Sequence, residues 1–177
     1  MGLNFHKVLF IVLALALIAE RLFELRSAKR NTARLFSEGG REFGAGHYPI
    51  IVAMHVLFFA SLITEFFYRL SPLWEYWYVA LVAFSLAQSL RLWSRITMAG
   101  RWTARIIVVR QERLIARGPY ARMPHPIYVA VALELLTLPL IFGLYCTAGL
   151  FSVLNAAMLL MVRIPTEEEA LRWSQGK

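Results

Sequence analysis

Two short polar strings stand out in an otherwise very apolar chain. The first is Gly118-Pro119-Tyr120-Ala121-Arg122-Met123-Pro124-His125-Pro126-Ile127-Tyr128, and the second is Arg163-Ile164-Pro165-Thr166-Glu167-Glu168-Glu169-Ala170-Leu171. Two apolar stretches lie between them, joined by a short turn at Gly143-Leu144-Tyr145-Cys146. A helical hairpin of that kind returns both strings to one side of a membrane, where they face each other. An imidazole, guanidinium groups and a run of carboxylates gathered there are the material of ion pairing and acid–base chemistry. They mark a site rather than a packing surface.

Each string also has a purely structural reading. Pro124 and Pro126 fix the backbone on both sides of His125 and make a rigid entry into the following helix. That entry needs the prolines and not the imidazole. At a helix N-terminus the ring is expected to stay neutral and to act as a hydrogen-bond partner. Thr166-Glu167-Glu168-Glu169 reads as a capping box, with Thr166 as N-cap and Glu169 reaching back. Capping accounts for Glu169 and leaves Glu167 and Glu168 unexplained beside Arg163. Leu171 and Trp173 predict a short helix lying on the membrane face.

The elements that must position these strings follow from composition. The 177 residues have the length of one domain, and 59% of them are hydrophobic, against roughly 45–50% in soluble domains. Five stretches approach the length of about 20 apolar residues that a spanning helix needs. They are 5–25, 48–70, 73–92, 127–146 and 147–162. The last is short and predicts tilt or local thinning. The first is expected to be retained rather than cleaved as a signal peptide, because Glu20-Arg21-Leu22-Phe23-Glu24 continues the helical pattern with no small-residue cleavage site after it. The expected fold is an all-α integral membrane domain over 1–177. It has five transmembrane helices, a C-terminal hairpin, and a cytoplasmic site built from 118–128 and 163–171.

Charge orients this arrangement. A net charge of +8 in so apolar a chain points to a membrane face and away from nucleic acid. Of the 19 Lys and Arg residues, 17 lie at the ends of spans one, three and five or in the segments after them, and only Lys7 and Arg69 fall on the other side. The N-terminus is therefore expected outside and the C-terminus in the cytoplasm. Trp74, Tyr76, Trp77 and Tyr78 form an aromatic belt beside an outer turn at Ser71-Pro72. The single Cys146 excludes an internal disulfide, and the residues offer no metal cage. Ile106-Ile107-Val108-Val109 reads as either a short strand or an interfacial element. Gly39, Gly40, Gly44 and Gly46 are expected to allow a tight return into span two.

His55, Glu65, Gln88, Glu134 and Asn155 lie within the spans. Ionisable groups in that setting are rare and often functional. Glu134 is the functional candidate. Asn155, at similar depth on the neighbouring span, reads as a helix–helix hydrogen bond, worth about 0.6 kcal/mol. His55 reads as a satisfied interhelical residue and Glu65 as interfacial.

At the two strings the chain resembles the isoprenylcysteine carboxyl methyltransferase family of integral membrane enzymes. The family pattern is Gly-Pro-Tyr, then Arg-His-Pro-x-Tyr, a hairpin, and Arg-x-x-x-Glu-Glu. Gly118-Pro119-Tyr120, His125-Pro126, Tyr128, Arg163 and Glu167-Glu168 match it. Pro124 departs from it, standing where the family usually has Arg; either Arg122 replaces that group or one contact is absent. In the N-terminal half, Glu20–Arg26 and Gly44–Pro49 resemble a bacterial branch that methylates alkylpyrones and alkylresorcinols, the lipids made by type III polyketide synthases. Glu134-Leu135 and Phe151–Ala156 extend that resemblance.

The resemblance implies S-adenosylmethionine as methyl donor, with no metal. Tyr120, His125, Pro126, Tyr128, Arg163 and Glu167 would bind it. Arg163 would pair with its carboxylate, Glu167 and Glu168 would attract its cationic parts, and the tyrosines would face the sulfonium. Arg163, Glu168 and Glu134 are the catalytic candidates, as oxyanion stabiliser or base. The implied acceptor is a lipophilic molecule in a bacterial inner membrane, with a type III polyketide synthase as pathway neighbour. Alternatives are methylation of an isoprenylcysteine-like carboxylate or a lipid amine, a nicotinamide-dependent membrane reductase, and a non-enzymatic scaffold.

Overall fold

A computed structural model describes residues 5–69 and 73–176. Six helices dominate it: α1 (Phe5–Ser37), α2 (His47–Arg69), α3 (Trp77–Met98), α4 (Pro126–Ile141), α5 (Tyr145–Met158) and α6 (Ile164–Ser174). Two strands, β1 (Arg41–Phe43) and β2 (Ile106–Val108), pair antiparallel with Glu42 opposite Ile107. The fold is therefore not purely α-helical. The ladder resolves the 106–109 segment as a strand and ties the loop after α1 to the long segment after α3.

Two helical stretches, His47–Arg69 and Tyr145–Ser174, are long and apolar enough to cross a membrane, and Pro126–Ile141 is apolar but shorter. Exposure runs opposite to that of a protein in water. In α1, Phe23 is 62% exposed while its neighbour Glu24 is 3% exposed. Lipid tolerates the phenyl ring outside and requires the carboxylate to be paired inside. The apolar core lies between all five long helices, α1 to α5. Phe10 stacks on Phe66 with centroids 3.7 Å apart, and Phe58 meets Phe151 edge-on at 5.4 Å.

Glu65 does more than sit at an interface. Its carboxylate accepts from the backbone N–H of Cys146 at 3.2 Å and of Thr147 at 2.7 Å, and from the Thr147 hydroxyl at 2.6 Å. It thus satisfies donors that the first turn of α5 would otherwise leave bare. Trp74 and Tyr76 meet edge-on at 5.5 Å at this end of the molecule. The expected turn at Ser71-Pro72 lies outside the described residues.

The largest correction concerns the second string. A π-turn at Leu159–Arg163 connects α5 to α6 without a break. Thr166 is inside this continuous helix, and its hydroxyl donates to the Val162 carbonyl at 2.7 Å. No N-terminus exists there to cap, so the capping box does not form. The extra residue of a π-turn shifts the face presented by everything after it. Met161 is 77% exposed while Arg163, two residues on, is 7% exposed. Opposite α6, Gly44 turns the chain into α2 with φ of 62°. A Cβ there would lie 2.7 Å from His47 Nδ1 and 2.9 Å from Thr166 Cγ2. This glycine therefore lets the loop pass against α6.

Candidate functional site

His125 stands at the N-cap of α4, directly before Pro126. Its ring stacks on that of Tyr128, with centroids 5.3 Å apart and planes inclined by 12°. The Tyr128 hydroxyl donates to Glu167 of α6. Arg163 Nε donates to the same hydroxyl at 3.2 Å, and Arg163 Nη2 donates to the Ala104 carbonyl at 2.7 Å. The two strings do meet, and Tyr128 is the joint between them.

Electrostatics at the joint differ from the expectation for His125. Glu167 Oε2 lies 3.7 Å from its Nδ1, an ion-pair distance too long for a hydrogen bond. That carboxylate raises the imidazole pKa above its ordinary value, against the opposing effect of burial. The ring is thus biased toward the cationic form rather than held neutral by the helix N-terminus. Burial, then the charge of Glu167, pushes the Tyr120 phenol well above its usual value, so it stays protonated.

A cavity of about 500 Å³ opens from this joint, within the range of ligand pockets. Tyr120, His125, Tyr128, Arg163 and Glu167 line one end, and Arg21, His55, Arg91 and Asn155 line the other. Pro126 is buried and is not part of the lining. Pro124 lines the cavity, whereas Arg122 is exposed and outside the lining. Glu168 and Glu169 point to the exposed side of α6. Of the adjacent pair, only Glu167 reaches the cavity wall.

The far end holds a buried ionic network. Arg21 donates through Nη2 to the Glu134 carboxylate and through Nη1 to Glu24 at 2.5 Å. Arg91 grips Glu24 with Nε at 2.8 Å and Nη2 at 2.6 Å, and its Nη1 lies 3.5 Å from Glu134. Arg95 Nη1 adds a contact to Glu24 at 3.1 Å. Glu134 is thus occupied by two guanidinium groups and does not line the cavity. It serves as their counter-ion, which removes the geometric basis for a role as base. The expected hydrogen bond from Asn155 is also missing, since its buried Nδ2 has no partner.

A family model described as the isoprenylcysteine carboxyl methyltransferase (ICMT) family matches residues 78–173. The chain belongs to this family. The uncharacterized protein YpbQ of Bacillus subtilis (strain 168) is 39% identical over 165 residues, covering 93% of this chain and 97% of that protein. No solved structure matches. Members of the ICMT family are membrane methyltransferases that use S-adenosylmethionine, so membership supports the same class of activity here.

The ICMT donor can be tested against the residues present. His125 Nδ1 is buried with no hydrogen-bond partner, and a bare polar atom on a cavity wall is one that a ligand can satisfy. Arg163 offers a guanidinium fork for a carboxylate. Glu167 offers charge for a cation, and the Tyr120 and Tyr128 rings offer faces. The donor set fits S-adenosylmethionine, which these five residues would hold. Bound there, it would supply an electrophilic methyl group on a cationic sulfur. Sequence reasoning missed Arg21, Glu24, Arg91 and Trp102 as parts of the cavity wall. The signal was present as Glu20-Arg21…Glu24 and Arg91…Arg95, matching charges at helical spacing on two separate helices.

Proposed function

We propose that this protein transfers a methyl group from S-adenosylmethionine to an oxygen of a lipophilic acceptor, an alkylpyrone or alkylresorcinol polyketide lipid. One observation carries the reading: a single cavity joins the charged pair Arg163 and Glu167 to a polar pocket deep among apolar helices. The charged end suits a water-soluble donor and the deep end suits the polar head of a lipid. Alignment in one cavity is the main contribution such a displacement needs. Arg163 holds the donor's carboxylate, Glu167 faces its cationic part, and Glu168 adds negative charge at the mouth. α1 to α5 cross a bacterial inner membrane as five spans, with the N-terminus outside and the site at the cytoplasmic face. A type III polyketide synthase supplies the acceptor.

The test is to incubate membranes containing the protein with methyl-labelled donor and a panel of alkylpyrones, alkylresorcinols, prenylcysteines and lipid amines. Label in the first two classes is the expected result. Label confined to prenylcysteine or amine would replace the acceptor assignment. No label, together with no binding of S-adenosylhomocysteine by purified protein, would remove the methyltransferase reading.

A further inference from the structure

His55 is on α2, at the deep end of the cavity. Its Nδ1 lies 2.8 Å from the Ile51 carbonyl oxygen. A carbonyl only accepts, so Nδ1 carries the hydrogen, and the neutral ring keeps its lone pair on Nε2. The backbone bond thus fixes both the tautomer and the ring orientation. Two further wall residues have unmet donors. Asn155 is 2% exposed with Nδ2 unpartnered, and Arg21 has no partner for Nε although its two Nη groups are engaged. One acceptor and two unmet donors therefore belong to side chains that line the same cavity. Such a set is complementary to a group bearing both a hydroxyl hydrogen and oxygen lone pairs.

We infer that the deep end is the acceptor subsite, where His55 Nε2 removes the proton of a phenolic or enolic lipid hydroxyl and Asn155 Nδ2 positions that oxygen. This rests on the O-methyltransferase reading above and adds the base to it. The O–H proton passes to Nε2 and its bonding pair stays on oxygen. That pair forms the new O–CH3 bond as the C–S pair leaves with sulfur. The donor's positive charge is lost, and an equal charge appears on His55. Arg21 Nε supports the oxygen as it becomes negative. The charged groups around His55 are Arg21 of α1, Arg91 of α3 and Glu134 of α4. Glu134 offsets the imidazolium, and the two guanidinium groups oppose it.

The test compares two acceptors of different acidity with His55→Gln and Asn155→Ala. A resorcinol hydroxyl, with a pKa near 10, needs a base, whereas an acidic pyrone enol is already ionised at neutral pH. In His55→Gln, methylation of alkylresorcinol should fall by about 100-fold or more, the scale of general-base catalysis. The acid limb of its kcat/KM profile should disappear, while alkylpyrone methylation falls by less than about 10-fold. Asn155→Ala should raise KM for both acceptors more than it lowers kcat. Both variants should bind S-adenosylhomocysteine as the wild type does. Equal losses on the two acceptors, or an unchanged acid limb, would overturn the role of His55. A wild-type protein that binds S-adenosylhomocysteine but methylates neither lipid would overturn the acceptor reading and this subsite together.

Discussion

Tyr128 of α4 donates its hydroxyl hydrogen to Glu167 of α6 while accepting one from Arg163 at 3.2 Å. One phenolic oxygen therefore sets the relative position of both charged groups on the donor side of the cavity. Tyr128→Phe keeps the ring that stacks on His125 and removes only this oxygen. Hydrogen bonds to charged groups contribute about 1.5–3 kcal/mol. S-adenosylhomocysteine binding, measured by calorimetry in detergent, should weaken by about 10-fold or more with little change in melting temperature. Unchanged affinity would show that the joint does not position the donor.

His125 gives a pH dependence with a definite sign. The nearby Glu167 carboxylate raises its pKa in the folded protein. Such a histidine contributes its full stabilisation below the unfolded value near 6.5 and loses it as pH rises through the higher folded value. The melting temperature of ligand-free protein should therefore decline as pH is raised from about 6 to about 8.5. Glu167→Gln should abolish that part of the decline. A difference between the two proteins that stays constant with pH would exclude this pair as its source.

Glu134 offers a sharp contrast between counter-ion and catalyst. It accepts from Arg21 and lies 3.5 Å from Arg91. Removing one partner of a buried ion pair costs about 3–5 kcal/mol. Glu134→Gln should lower thermal stability and yield, and activity per folded molecule should survive. Wild-type stability with activity abolished would restore Glu134 as a chemical participant.

Gly44 bears on how α6 is seated. A Cβ at this position would meet Thr166, one residue before Glu167, at 2.9 Å, and φ is 62°. Strain at a non-glycine residue in that region costs about 1–3 kcal/mol. Gly44→Ala should lower the melting temperature and weaken S-adenosylhomocysteine binding together. Gly46, whose Cβ would meet nothing nearby, is the control, and Gly46→Ala should be near neutral. Equal effects at the two glycines would mean that the contact with α6 is unimportant.

Orientation is open to a direct assay. Cys146 is the one cysteine of the chain and is exposed, at the start of α5 on the side opposite the site. A membrane-impermeant maleimide applied to intact spheroplasts should label it. In a Cys146→Ser background, a cysteine placed at Gln175 should react only after the membrane is opened. The reverse pattern would invert the proposed topology.

Much of this arrangement was legible in the sequence. The helix positions follow from runs of apolar residues, and the meeting of the strings follows from the hairpin between them. What stayed hidden depended on residues far apart in the chain. Arg21, Arg91 and Arg95 add to the positive charge of the inner side in sequence, yet they pair inward with Glu24 and Glu134, and the charge asymmetry persists without them. The β1–β2 ladder is three residues long on each side, too short for a period of two to register. Thr166 satisfied every local rule for an N-cap. A π-turn upstream, which no simple periodicity announces, carried the helix through it.

The unbroken course from α5 through the π-turn into α6 has a consequence for selectivity. Asn155 and Glu167 belong to one stiff rod, twelve residues apart, or roughly 18 Å at 1.5 Å per residue. Under the proposed function, the rod is a fixed gauge between the depth of the acceptor's head group and the plane from which the methyl group arrives. An acceptor with a longer or shorter tail meets the same gauge, and the surplus is left to the bilayer. An acceptor whose oxygen is carried one ring further from its tail should be methylated poorly. The enzyme should accordingly grade its substrates by head-group architecture and be nearly indifferent to alkyl length.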